Sequence, residues 1–231
     1  MLETPLENTL QPACFAAGTL VHTKDGLIPI ENIIVGDLVL SKHESGDGEP
    51  EYKYVTRTYE HKDRSVIYVR VAGMAPEPKA YSCILTPEHP IWKPNKGWVE
   101  VGTFRSTWPS QRVELLLHDD GSFVTQLPMF KHSDADSAWI PSINLPRVVR
   151  EGRGVLININ TLEMSGSIDP IHSDYVKRFG RGRDEDLFKT TVYNIEVEDF
   201  YTYYVTDGGL WVHNKFNKHI DTPVAAPGKT L

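Results

Sequence analysis

Three short stretches of this sequence carry side chains able to break a peptide bond. PACFAAGTLVHT (12–23) sets Cys14 ahead of small residues and Gly18. A thiolate is the strongest ordinary nucleophile, and with an unperturbed pKa of ~8.5 a thiol needs only modest help near neutrality. In LTPEHPIW (85–92), Thr86 and His89 stand three apart, with Pro87 and Pro90 restricting the backbone around them. A stiff loop of this kind suits a hydroxyl and an imidazole aimed at one carbonyl and one amine. In WVHN (211–214), His213 precedes Asn214. An asparagine amide can attack its own backbone carbonyl to close a succinimide, with effective molarities of roughly 10⁵ M or more when well oriented. The neighbouring imidazole could supply the proton that the leaving amine needs.

Each stretch also has a plainer reading. An isolated cysteine is usually a small buried hydrophobe. A Pro-rich turn can hold an incidental histidine, and a strand can end in polar residues. The order of the three favours shared chemistry, because they fall at the first position, the middle and the last position of one β-rich body.

That body is read from runs of Val, Ile, Tyr and Thr separated by Gly, Asp and Pro. TLVHT (19–23) precedes the KDG turn at 24–26, followed by DLVLS (37–41), YKYVTRTY (52–59) and VIYVRV (66–71). Late in the chain VYNIEV (192–197) alternates, with Tyr193, Ile195 and Val197 on one face and Asn194 and Glu196 on the other. YTYYV (201–205) answers it across a short turn. Helical periodicity is limited to one turn at PIENII (29–34), so the fold class is all-β. Between about 103 and 189 the texture loosens around VELLL (113–117) and VLININ (155–160), and this region reads as a loop-rich insertion on the β core. Residues 1–13 and 215–231 read as flanks of a body spanning 14–214.

Composition narrows the function. The 231 residues are 40% hydrophobic and 10% aromatic, ample for a buried core. A net charge of −7 argues against nucleic acid and anionic membrane as partners. No run approaches a membrane span, and the first 13 residues lack the charged start and apolar centre of a signal peptide, so export would require a larger precursor. Cys14 and Cys83 make no disulfide framework. Cys83 precedes Thr86 by three, which puts it on the opposite face of a strand and favours a structural role. Cys14, His89 and His213 could ligate zinc by type, yet they lack the close-spaced pairs of structural zinc sites, so no metal or other cofactor is expected. The basic run VKRFGRGR (176–183) is followed at once by acidic DEDLF and reads as a solvated loop.

The sequence resembles a Hint domain, the self-processing module shared by inteins, hedgehog C-terminal domains and bacterial intein-like proteins. The resemblance rests on CFAAGTLVHTKDGLIPIENIIVGDLVLS (14–41), LTPEHPIW with GWVEVG (97–102), and VYNIEVEDFYTYYVTDGGLWVHN (192–214). Within the family it is most similar to the pretoxin Hint modules of bacterial polymorphic toxins, which sit ahead of a toxin segment in a large exported precursor. The resemblance implies a horseshoe β fold with pseudo-twofold symmetry, acting in cis on its own flanking bonds and monomeric as an isolated domain. Cys14 matches the nucleophile that attacks the Ala13 carbonyl in an N-to-S acyl shift. Thr86 and His89 match the pair that strains that bond and protonates the Cys14 nitrogen. Asn214 matches the residue that cyclises and cuts before Lys215, and His213 matches its assistant.

Two departures qualify the likeness. Asn194 stands where many inteins carry an aspartate, so a charged acid or base is missing there. Lys215 has no β-nucleophile to accept an acyl group, and its ammonium is protonated near pH 7. Ligation of the flanks should therefore fail and leave cleavage, at Asn214–Lys215 by cyclisation and at Ala13–Cys14 by thioester hydrolysis. The competing expectation is a Hint-derived β scaffold that has lost activity. Hedgehog-like transfer to an alcohol is weakly supported, since nothing after Asn214 suggests a lipid-recognition region.

Overall fold

The computed structural model describes residues 12–72, 79–94, 96–104, 112–115, 118–131, 136–141, 153–170 and 187–214. Its first elements follow the local sequence. Phe15–Ala16 forms β1, and Leu20–Thr23 (β2) turns into Gly26–Pro29 (β3) in the register Thr23↔Gly26. The Thr23 hydroxyl closes this turn by donating to the Gly26 carbonyl at 2.8 Å. PIENII does form one turn, a 3-10 helix over Ile30–Asn32 whose Ile30 is buried. Leu38–Ser41 (β4) pairs with β2 and with the 15-residue Glu51–Ser65 (β5). Ile67–Ala72 (β6) and Ala80–Leu85 (β7) pair throughout in the register Ile67↔Leu85. Pro90–Lys93 (β8) and Gly97–Glu100 (β9) make the next hairpin, and a 3-10 turn at Val101–Thr103 follows.

Among the described residues of 103–189, the region expected to be loop-rich, six strands occur. Arg112–Leu115 (β10) and His118–Pro128 (β11) extend the main sheet beside β6. Phe130–Lys131 (β12), Ser137–Pro141 (β13), Arg153–Asn158 (β14) and Met164–Pro170 (β15) form a separate four-stranded sheet. Polar and Gly-containing residues hid these strands because antiparallel pairing tolerates a polar face and register shifts, and one such shift occurs between Gly154 and Leu156. The basic run 176–183 lies outside the described residues.

Lys189–Val197 (β16), Thr202–Val205 (β17) and Leu210–His213 (β18) complete the 14-stranded main sheet. β17 does not answer β16 as a hairpin partner. β16 lies between β1 and β5, whereas β17 pairs with β18 and β2. The turn between them holds Asp199 at φ 60° and Tyr201 at φ 56°, left-handed conformations that redirect the chain.

Apolar burial divides into two clusters. The larger holds Phe15, Cys83, Leu85, Ile91, Ile195, Val197, Tyr203 and Val212. The smaller joins Cys14, Ala16, Ile84 and Val192 to Met129, Ala138, Ile140 and Ile157. The four-stranded sheet thus packs over Cys14 and Ala16. Alternation in VYNIEV holds, yet both faces are covered: Asn194 is buried along with Ile195. The fully buried Trp211, Tyr203, Tyr204 and Phe15 each contribute about 4–6 kcal/mol of gross transfer free energy before entropy is subtracted.

Candidate functional site

Thr86–His89 is the loop between β7 and β8, and its placement follows from strand pairing. β7 pairs with β1 through Leu85↔Phe15, and β8 pairs with β18 through Ile91↔Val212. The loop therefore stands where the strand after Cys14 and the strand before Asn214 enter the same sheet.

Thr86 clamps Cys14 from both sides. The Cys14 N–H donates to the Thr86 hydroxyl at 3.0 Å, and the Thr86 N–H donates to the Cys14 carbonyl at 2.9 Å. The same hydroxyl donates to the Pro12 carbonyl at 2.9 Å. It thus holds the amide nitrogen of the Ala13–Cys14 bond and the carbonyl one residue upstream. Ala13 and Cys14 are buried at 1% and 0% exposure, so this junction is shielded from bulk water.

His89 is fully buried, its ring 4.2 Å from the Phe15 ring, and among the described residues neither ring nitrogen has a hydrogen-bond partner. Burial, with a smaller contribution from His213, lowers its pKa to about 3. It is therefore a neutral imidazole at physiological pH, able to accept a proton before it gives one. Gly102 backs this loop: its N–H donates to the Pro87 carbonyl at 2.8 Å, and a Cβ there would lie 2.7 Å from the Pro87 Cβ and 2.9 Å from the Pro87 oxygen. Gly102→Ala must push the loop away, so we expect a loss of about 1–3 kcal/mol of stability, read from urea midpoints.

At the other end, β17 and β18 pair as Thr202↔His213, and the Asn214 N–H donates to the Tyr201 carbonyl at 2.8 Å. Asn214 is 2% exposed, yet among the described residues neither its amide oxygen nor its amide nitrogen has a hydrogen-bond partner. His213 Nε2 meets the Glu44 carboxylate at 2.8 Å, while its Nδ1 is buried without a partner. The ring also sits edge-on to Trp98 at 5.0 Å, beside the packed Trp92 and Trp211. Buried polar atoms are paired in the great majority of cases, so those at His89, His213 and Asn214 that lack a partner among the described residues are notable, as are Thr206 Oγ1 and Trp211 Nε1. Lys215 lies outside the described residues.

Two contributors escaped sequence reasoning. Asn194, the departure from the aspartate pattern, accepts hydrogen bonds from the Tyr203 hydroxyl and from the Ile195 N–H, both at 2.8 Å. Tyr203 is fully buried, and burial, with a smaller contribution from Cys14, raises its pKa well above the ordinary phenol value. A neutral phenol held by a neutral amide thus lies within electrostatic reach of the thiol. Period-two alternation in YTYYV marks Tyr203 only as a core residue. The other contributor is Glu44, 169 positions from His213, for which no local signal exists. Cys83 lies in the larger cluster, and burial pushes its thiol up to about 12, which rules it out as a nucleophile near neutrality. Among the described residues, no group of three His, Cys, Asp or Glu side chains is arranged to hold a metal ion.

The family model described as the pretoxin HINT domain matches residues 20–122. Among curated proteins, none matches the chain. Among solved structures, the bacterial intein-like domain from Clostridium thermocellum is 22% identical, with 88% of this chain and 100% of that one covered at a TM-score of 0.49. A DnaB intein from Synechocystis is 8% identical, with 88% and 99% covered at a TM-score of 0.50. The second likeness concerns the fold alone. The chain thus has an all-β fold like that of the intein, and over residues 20–122 it is similar to the pretoxin Hint domain.

Proposed function

We propose that residues 14–214 cleave their own flanking peptide bonds without joining the flanks, and that the cut at Asn214–Lys215 dominates and releases the segment beginning at Lys215, in the manner of a toxin freed from its carrier. The observation that carries this reading is the buried Asn214 amide, which has no hydrogen-bond partner among the described residues and directly follows His213, whose Nδ1 likewise has none. An amide locked in hydrogen bonds would have to break them before attacking, whereas this one makes none to the described residues.

In the C-terminal reaction the Asn214 side-chain nitrogen bonds to the Asn214 carbonyl carbon, and the bond to the Lys215 nitrogen breaks. His213 takes the amide proton and delivers it to the departing amine. The products are an aminosuccinimide at position 214 and a free α-amine on Lys215. In the N-terminal reaction Cys14 Sγ bonds to the Ala13 carbonyl carbon while the Ala13–Cys14 amide bond breaks. Neutral His89 accepts the thiol proton and passes it to the nitrogen, which Thr86 already holds. Water then hydrolyses the thioester. Because the Cys14 environment is roofed by the second sheet, hydrolysis there is the slower event. With no hydroxyl or thiol side chain at Lys215, the acyl group has no acceptor for splicing.

Mass spectrometry of the purified full chain during incubation at neutral pH tests the reading. The expected species are a fragment ending in an aminosuccinimide at 214 and a peptide of 17 residues starting at Lys215. A chain that stays intact for days would leave the inactive scaffold in its place.

A further inference from the structure

We infer that Glu44 is a positioning residue for His213, selecting the imidazole tautomer that leaves Nδ1 as the proton acceptor; this rests on the C-terminal cleavage reading above. A carboxylate only accepts hydrogen bonds, so a neutral His213 at 2.8 Å from Glu44 Oε2 must carry its hydrogen on Nε2. The lone pair then resides on Nδ1, a buried nitrogen with no partner among the described residues, in the residue that precedes Asn214 in sequence. With the other tautomer, Nδ1 would bear a hydrogen and could not take the amide proton. Orientation of a catalytic imidazole by a carboxylate on its far nitrogen is a general device of proton transfer.

The loop carrying Glu44 is built to hold it there. The Gly46 N–H donates to the His43 carbonyl at 2.8 Å, and Ser45 links His43 to Asp47 through hydroxyl contacts of 2.8 Å each. Gly46 has φ +87°, and a Cβ on it would come 3.1 Å from the Trp92 ring, so the turn is pressed onto the tryptophan cluster. The Trp98 indole N–H donates to the Glu44 backbone carbonyl at 2.9 Å, and the same indole walls the His213 ring. Deleting the Glu44 carboxylate leaves that backbone bond intact. The Glu44 side chain is itself 46% exposed, so its pairing with His213 adds little to stability. Its placement makes sense as orientation.

The test uses the full chain. Glu44→Ala should slow release of the Lys215 peptide by about tenfold or more, while Glu44→Gln, whose amide oxygen still accepts, stays within about threefold of wild type. Neither should move the urea midpoint appreciably. In the non-cleaving Asn214→Ala background, nitrogen NMR should show His213 with hydrogen on Nε2, and Glu44→Ala should convert it to a mixture of tautomers. Wild-type release by Glu44→Ala with an unchanged spectrum would overturn the assignment, as would equal slowing by both variants together with a lowered midpoint. If the wild type releases no peptide, the cleavage reading fails, and the spectrum still decides whether Glu44 sets the tautomer.

Discussion

Asn214→Ala should leave the bond to Lys215 uncut while the protein stays as stable as the wild type. The cyclisation depends on an attacking nitrogen held beside its own carbonyl, and removing it forfeits an effective molarity of roughly 10⁵ M, so release should fall below detection. Ordinary loss of a buried asparagine lowers stability by breaking its hydrogen bonds. Here the amide makes none, and removing an unpaired buried polar group is close to neutral. His213→Ala should retain the nucleophile and slow release by about 10²–10⁴-fold, the usual contribution of a positioned acid–base group. Cys14→Ala should leave release of the Lys215 peptide in place and abolish only the cut at Ala13. Following the two fragments by mass in the three variants separates the two reactions. Loss of C-terminal release in Cys14→Ala would mean that the ends are chemically coupled, contrary to the scheme.

The second large effect is on stability against acid. His89 titrates at its ordinary value near 6.5 when unfolded and at about 3 when folded. Between these values the unfolded chain binds a proton that the folded chain refuses, so acid favours unfolding. The contribution is fully present above pH 6.5 and is lost as pH falls toward 3, at up to about 1.4 kcal/mol per pH unit from this one group. His89→Gln removes the titration and should flatten that part of the profile. Urea midpoints at pH 7, 5 and 4 for both proteins check it, and parallel profiles would show that His89 is not the acid-sensitive group. On the proposed scheme the same buried neutrality suits His89 to accept the thiol proton at the start of the N-terminal reaction.

Local pattern reveals much of this molecule. The β2–β3 hairpin, the single 3-10 turn and the strands flanking Thr86 and His89 are written in side-chain alternation and turn residues. The five candidate side chains could be picked out because each occupies a short stretch with its own chemistry, and their roles belong to the proposal above. What escaped depends on long-range pairing. The partners of β16 and β17 are chosen by strands more than a hundred residues upstream, and adjacency in sequence pointed to the wrong pair. The four-stranded sheet has polar residues where a core strand would have apolar ones. Glu44 and the Tyr203–Asn194 pair acquire meaning only when the sheet closes, since neither has a distinctive neighbour in sequence.

The β7–β8 loop has a thermodynamic consequence. β7 fastens the strand after Cys14 and β8 fastens the strand before Asn214, so the pairing ties the two junctions together across a ring on the order of 200 residues, whose closure alone costs about 5 kcal/mol. That entropy is spent in folding, before any bond reacts. On the proposed scheme the two junctions thus draw on one closed ring for their reactivity. Fraying of β18 from Ile91 would silence the Lys215 cut alone, whereas displacement of the 86–89 loop would silence both.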